Sequence, residues 1–169
     1  SVRDKIVALP TMYIWRMMNF GKADIYGVDV NLSARIGISR RVALLADANY
    51  SWQRAMDVTD SSAKNYRDQL PYTPEHSGNL SFTVENPILN VSYMLSAVGE
   101  RYMLPQNTVY NRMAGYFEHS FSLYKELALG SARLRLQGEL LNVADNRYEI
   151  IRYYPMPGFQ WRVSARLSF

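Results

Sequence analysis

FQWRVSARLSF (159–169) alternates without a fault: Phe159, Trp161, Val163, Ala165, Leu167 and Phe169 are apolar or aromatic, and Gln160, Arg162, Ser164, Arg166 and Ser168 are polar. A period of two is the mark of a β-strand with one apolar and one polar face. Eleven residues at about 3.3 Å each, tilted by roughly 45°, rise about 25 Å, the height of the apolar band on a membrane β-barrel. Strands of water-soluble sheets are usually shorter, about five or six residues.

The same rhythm recurs upstream. It runs through YGVDVNLSARI (26–36), VALLADANYSW (42–52), NLSFTVE (79–85), LNVSYMLSA (89–97) and SARLRLQGEL (131–140), and more weakly over about 5–17 and 112–124. With the terminal run this predicts an all-β, antiparallel sheet of about eight strands. The links between them alternate in length. GISRR (37–41), NPI (86–88) and KELALGS (125–131) are short; the links over 56–78, 100–111 and 148–158 are long. In an antiparallel meander this gathers tight turns at one end and large loops at the other, the arrangement of an outer-membrane barrel with short periplasmic turns and long extracellular loops.

Composition narrows the alternatives. No apolar run approaches the ~18–20 residues of a membrane helix, so a membrane reading must go through strands, which are viable in lipid only within a closed barrel. The chain has no cysteine, which removes disulfides and thiolate metal sites. Its net charge of +4 comes from Arg and Lys scattered among Asp and Glu, without the basic patch of a nucleic-acid binder. The opening SVRDKIVALP has charges but no apolar signal core, so a signal has been removed or the chain is a piece of a longer one.

A soluble barrel or sandwich with one dry face would also alternate. Strand length and the segregation of the links favour the membrane. An enzyme has little support: nucleophilic catalysis usually needs a histidine beside a hydroxyl and a carboxylate. Of the two histidines, His76 is expected in the longest loop as surface decoration, and His119 shares parity with Phe117, Phe121 and Leu123. His119 would then face lipid, so a local bulge or a partner contact is expected there, away from the middle of the bilayer. No catalytic residue, metal site or cofactor is expected. Near the long-link end, Tyr148, Tyr153, Tyr154, Phe159 and Trp161 are candidates for an interfacial aromatic girdle.

Three stretches carry a family resemblance. LLNVADNRYEIIRYYPMPGFQWRVSARLSF (140–169) resembles the end of a TonB-dependent outer-membrane receptor: Asn142 to Asp145 match an Asn-Leu-Phe-Asp-like element, followed by Tyr148, the turn Pro155-Met156-Pro157-Gly158 and the closing aromatic Phe169. NFGKADIYGVDV (19–30) resembles the family's Asn-x-Gly-x-Ala-x-x-x-Gly-Val-Glu strand, and LPYTPEHSGNLSF (70–82) its Leu-Pro-x-x-Pro element. Val143-Ala144 departs from the usual Leu-Phe, Asp29 from Glu, and Phe159 from Arg.

The resemblance implies a chain (1–169) that forms the carboxyl-terminal portion of a receptor barrel in the Gram-negative bacterial outer membrane. The amino-terminal plug and the remaining strands would lie elsewhere. It implies active import of a ferric siderophore, haem or cobalamin-type substrate, with TonB acting through the missing part. Outer-membrane lipid, the barrel assembly machinery and a surface lipoprotein are the further partners it suggests. Trp161, Val163, Ala165, Leu167 and Phe169 would form the assembly signal. Tyr66, Arg67, Tyr72, Tyr110, Arg152, Tyr153 and Tyr154, all in or beside long links, are the candidate substrate contacts. The alternative is a self-contained eight-stranded barrel with a structural or adhesive role, its interior filled by residues such as Asp29, Arg35, Glu85, Arg133, Glu139 and Arg162.

Overall fold

The computed structural model describes residues 2–10 and 15–169. Its strands, in chain order, are β1 (Val2–Pro10), β2 (Trp15–Ser39), β3 (Val42–Asp57), β4 (His76–Glu85), β5 (Asn90–Val98), β6 (Arg101–Tyr102), β7 (Arg112–Met113), β8 (Tyr116–Leu129), β9 (Ala132–Leu141), β10 (Glu149–Ile151), β11 (Tyr154–Pro155) and β12 (Gln160–Ser168). Among the described residues there is no α-helix, only a 3-10 turn at Val109–Asn111. The main sheet is antiparallel, with order β1-β2-β3-β4-β5-β8-β9-β12; β6 pairs with β7, and β10 with β11, in the long connections.

The register puts like with like. One row across the sheet reads Ala34, Ala46, Phe82, Tyr93, Phe121, Leu140, Trp161, and an adjacent one reads Arg35, Leu45, Thr83, Ser92, Ser122, Glu139, Arg162. Side chains on successive residues of a strand point to opposite faces, so the first row belongs to a continuous apolar face and the second to a polar one. The exposure of these faces is inverted relative to a water-soluble sheet. On β8, Ser120 and Ser122 are 5% and 7% exposed, while Phe117, Phe121 and Leu123 are 58%, 39% and 41% exposed. The fully buried apolar side chains, Ala23, Ala55 and Leu70, form only a small cluster where the long connection 58–75 folds onto β2 and β3.

Polar contacts knit the other face. Ser33 donates to Asp47 at 2.7 Å, Ser96 to Asn79 at 2.5 Å and Asn79 to Asn49 at 3.2 Å. Arg35 pairs with Glu85 at 2.7 Å and Arg162 with Glu139 at 2.5 Å. Exposed pairs of this kind contribute little singly. Their weight lies in satisfying polar groups along one face.

Several details differ from the sequence reading. The weak strand expected over 5–17 is instead a pair of strands: β1 and β2 are in register from Val2↔Ala23 to Pro10↔Trp15, and residues 11–14 lie outside the described residues. β8 runs on to Leu129, so the short link expected over 125–131 shrinks to a turn at Gly130–Ser131. Two charged side chains are accommodated in this extension: Lys125 donates to the Pro87 carbonyl at the neighbouring turn, and Glu126 lies 3.9 Å from Arg135. The strand expected from 112 begins at Tyr116, because Arg112–Met113 pairs with β6 instead. β1 and β12 lie at opposite edges and do not pair among the described residues, so these strands do not close on themselves.

Candidate functional site

Three long connections meet at one end of the sheet: 58–75 between β3 and β4, 99–115 between β5 and β8, and 142–159 between β9 and β12. Each is tied down by buried polar side chains. In the first, the Asp57 carboxylate accepts from Thr59 N–H at 2.9 Å and from Asn65 at 2.7 Å. Gln69 accepts from the Ala55 N–H at 3.0 Å and donates to the Thr73 carbonyl at 3.1 Å. The connection is thus held against the end of β3, and the Arg67 and Leu70 N–H groups find partners in the Asp57 and Ala55 carbonyls, both at 2.7 Å.

Arg101 ties the connections to one another. It is 3% exposed. Its guanidinium donates to the carbonyls of Glu149, Ile150 (3.3 Å) and Ala114 (3.5 Å), and lies 5.5 Å from the Tyr116 ring centre. The next residue, Tyr102, accepts from the Tyr72 N–H at 2.7 Å, and Asp68 accepts from the Asn107 N–H at 3.0 Å. Burial pulls the Arg101 guanidinium below its usual pKa and pushes the Tyr72 phenol above its own. Burial, followed by the hydrogen bond it donates to Glu118, also holds Tyr148 well above the ordinary tyrosine value.

The third connection is shaped by Asn142, which is 2% exposed with φ of 48°. Asparagine tolerates this left-handed backbone because its short side chain can bond locally. Here it accepts from the Asn146 N–H at 3.0 Å and donates to the carbonyls of Asn146 (2.9 Å) and Pro157 (3.3 Å). Asp145 then accepts from the Phe159 N–H at 2.8 Å, setting the start of β12. Gly158 passes so close that a Cβ there would stand 2.1 Å from the Asp145 carboxylate.

The candidate substrate contacts are spread over this end rather than gathered. Tyr66 and Arg67 are exposed in the first connection, and Arg67 takes φ of 66° while its N–H reaches the Asp57 carbonyl at 2.7 Å. Arg67 lines a cavity of about 470 Å³ with Arg54, Asp68, Gln69, Glu100 and Arg101. Tyr72 belongs to the Arg101 junction. Arg152 lines a separate cavity of about 300 Å³ beside Tyr148 and Glu149, bridging Glu149 at 3.5 Å with its guanidinium 5.5 Å from the Tyr153 ring centre. Tyr153 and Tyr154 are exposed, and Tyr110 stands apart on the 3-10 turn, 89% exposed. Sequence reasoning passed over Arg101, Gln69 and Asp68; nothing in the strand rhythm marks them, since their partners are remote in the chain. Cationic and phenolic groups here can hold an anionic or aromatic molecule without covalent chemistry. Among the described residues no group of His, Asp and Glu is arranged to hold a metal ion.

The histidines correct two expectations, the loop position of His76 and the bulge at His119. His76 is the first residue of β4, pairs in register with Trp52, and lies 2.7 Å from the Tyr50 hydroxyl. His119 sits in a continuous register with no bulge, its Nδ1 2.8 Å from the Tyr93 hydroxyl. Each imidazole is thus supplied with a polar partner on the apolar face itself. The girdle reading also needs correction. Tyr148 stacks on Tyr116 with ring centres 3.9 Å apart and donates to Glu118, whose row holds Ser96, Asn79 and Asn49, so it belongs with the polar face. Tyr26 and Trp52, in edge contact at 5.9 Å, stand on the apolar side instead. Trp161, Val163, Ala165 and Leu167 share that side on β12, beside Leu140, Gly138, Leu136 and Leu134, while Phe169 is exposed beyond the strand.

No curated protein matches the chain. Residues 1–143 match the family described as TonB dependent receptor-like, beta-barrel, whose members are transporters of the outer membrane. The last 26 residues (144–169), which include β12, lie outside that match. With residues 1–143 of the 169 covered, and an antiparallel sheet that is apolar on its exposed face, the chain belongs to the TonB-dependent receptor β-barrel family.

Proposed function

We propose that this chain is the carboxyl-terminal part of the barrel wall of an outer-membrane active transporter, in which the apolar face meets lipid, the polar face lines the lumen, and the long connections form the extracellular rim. The inverted exposure along β8 carries this reading: phenylalanine and leucine outward, serine inward. The open edges support a larger barrel. β12 has one neighbour, and Asp24–Ser39 of β2 is paired only with β3 among the described residues. A lumen plug and TonB coupling then belong to the rest of the receptor.

The cargo is of the ferric siderophore, haem or cobalamin type, taken from outside by the rim residues Tyr66, Arg67, Tyr72, Tyr110, Arg152, Tyr153 and Tyr154. Trp161, Val163, Ala165, Leu167 and Phe169 present the apolar side of β12 to the assembly machinery. The test is titration of the intact receptor with one ligand of each type, before and after residues 60–66 are replaced by a short Gly/Ser link that spares Asp57 and Gln69. Saturable binding of one type, weakened at least tenfold by the replacement, is expected. Unchanged affinity would remove this connection from the site, and no saturable binding of any type would remove the cargo class.

A further inference from the structure

The apolar face is not uniformly filled. Across four strands one row reads Tyr50, Gly78, Ala97, Phe117, so that two rings flank two positions bearing almost no side chain. Toward the long connections the next positions are His76 and Gly99, joined by the Gly99 N–H to His76 carbonyl bond at 2.8 Å. The result is a trough of about 320 Å³, walled by Tyr50, His76 and Phe117 and floored by Gly78, Ala97 and Gly99. Toward the short turns the following row on the same two strands is Leu80 and Leu95, larger side chains than the Gly78 and Ala97 of the floor. Its exposed surface is almost wholly apolar, and the Tyr50 hydroxyl and His76 Nδ1 on one wall lie 2.7 Å from each other.

We infer that this trough is a specific seat for one acyl chain of an outer-leaflet membrane lipid, a proposal that rests on the lipid-facing reading of the apolar face. Three observations point to that occupant. The trough is continuous with the apolar face that meets hydrocarbon, so its contents come from the bilayer. It lies at the long-connection end, hence at outer-leaflet depth. Its walls offer aromatic faces and an almost wholly apolar surface, which suits a hydrocarbon chain better than a sugar, peptide or anion. The flanking rings stand on strands three spacings apart, about 14 Å, and the floor is pre-formed rather than opened by a rotamer change. Bulk annular lipid covers the rest of the face; here a chain is held between walls.

The floor can be filled without breaking the sheet, but only at one position. A Cβ on Gly78 would meet the Asn49 carbonyl oxygen at 2.8 Å and one on Gly99 the His76 carbonyl oxygen at 3.0 Å, so those glycines are also needed by the close approach of neighbouring backbone. Ala97 already carries its Cβ and takes a larger side chain into the open trough. The intact receptor, with a photoreactive benzoylphenylalanine at Phe117 or, as a control, at Leu123 on the same face, is irradiated in vesicles of its native outer-membrane lipids. Irradiation is repeated after extensive detergent exchange, and adducts are identified by mass spectrometry. The expected result is lipid adducts at both positions in vesicles, retention of the Phe117 adduct alone after detergent exchange, and at least tenfold loss of that retained adduct in Ala97→Trp. Equal retention at both positions, or retention unaffected by Ala97→Trp, overturns the seat while leaving the lipid-facing reading intact. No lipid adduct at either position in vesicles overturns that reading itself.

Discussion

Asn142→Ala removes a side chain that accepts one hydrogen bond and donates two, at a residue 2% exposed and held at φ of 48°. Leaving a buried polar partner unsatisfied costs about 1–3 kcal/mol. Placing alanine in the left-handed region adds roughly 1 kcal/mol. The expected local destabilisation is therefore about 2–4 kcal/mol. Asn142→Gly loses the same bonds but adopts this φ freely, so it should be milder by roughly 1 kcal/mol. Asn142→Asp keeps the acceptor for Asn146 N–H and turns a donor toward two carbonyls into a repulsive oxygen, and should fall close to alanine. The sensitive readout is amide hydrogen exchange in the intact receptor at Phe159, whose N–H is held by Asp145. Protection there should fall by roughly 30- to 700-fold in Asn142→Ala, as a factor of ten is about 1.4 kcal/mol. If alanine and glycine variants exchange alike and within threefold of the unsubstituted receptor, Asn142 does not set the entry into β12.

Arg101→Met should leave the sheet assembled and free the rim, since it deletes the guanidinium bonds to the Glu149, Ile150 and Ala114 carbonyls; limited proteolysis should then cut within 99–115 and 142–159 at least tenfold faster, with unchanged cleavage elsewhere. Tyr148 should ionise only well above the ordinary tyrosine range. Because its folded pKa is raised, its contribution to stability is complete below the ordinary tyrosine pKa and is lost as pH rises from there through the raised folded value; ultraviolet titration of the receptor and of Tyr148→Phe would show one late-titrating phenol missing from the variant. Phe121→Arg should lower receptor stability by about 2–4 kcal/mol if the residue lies near mid-bilayer, whereas Ser122→Arg on the opposite face should cost under about half of that in the same chemical-unfolding assay.

The parts of the fold legible in the sequence are those governed by local periodicity. The runs around Leu80 to Val84, Leu134 to Leu140 and Trp161 to Leu167 announce their strands because most of their apolar residues are answered, in register, by another on a neighbouring strand, as Phe82 is by Tyr93, Leu140 by Phe121 and Leu167 by Leu134. The end of β8 was placed too early: Lys125 stands on the apolar side, and its long stem carries the ammonium to the Pro87 carbonyl, a partner 38 residues away that no local pattern announces. His119 misled for a related reason: a histidine among phenylalanines suggests irregularity, yet Tyr93, 26 residues earlier, supplies its hydrogen bond without disturbing the register. The rim was legible only as composition. Arg101 reaches Glu149 across 48 residues, and no spacing in the sequence foretells a contact between two loops that the sheet brings together.

The most direct test of the account is a nitroxide scan of β8 from Phe117 to Leu123 in the intact receptor, reconstituted in lipid. The chain has no cysteine of its own, so single cysteines carry the label without background from this part of the receptor. At each position, collision with oxygen, which concentrates in hydrocarbon, is compared with collision with a water-soluble nickel chelate. A lipid-facing apolar side gives a period of two, with Phe117, His119, Phe121 and Leu123 favouring oxygen and Glu118, Ser120 and Ser122 favouring the chelate or neither. The opposite phase, or water access on the phenylalanine side throughout, would contradict it.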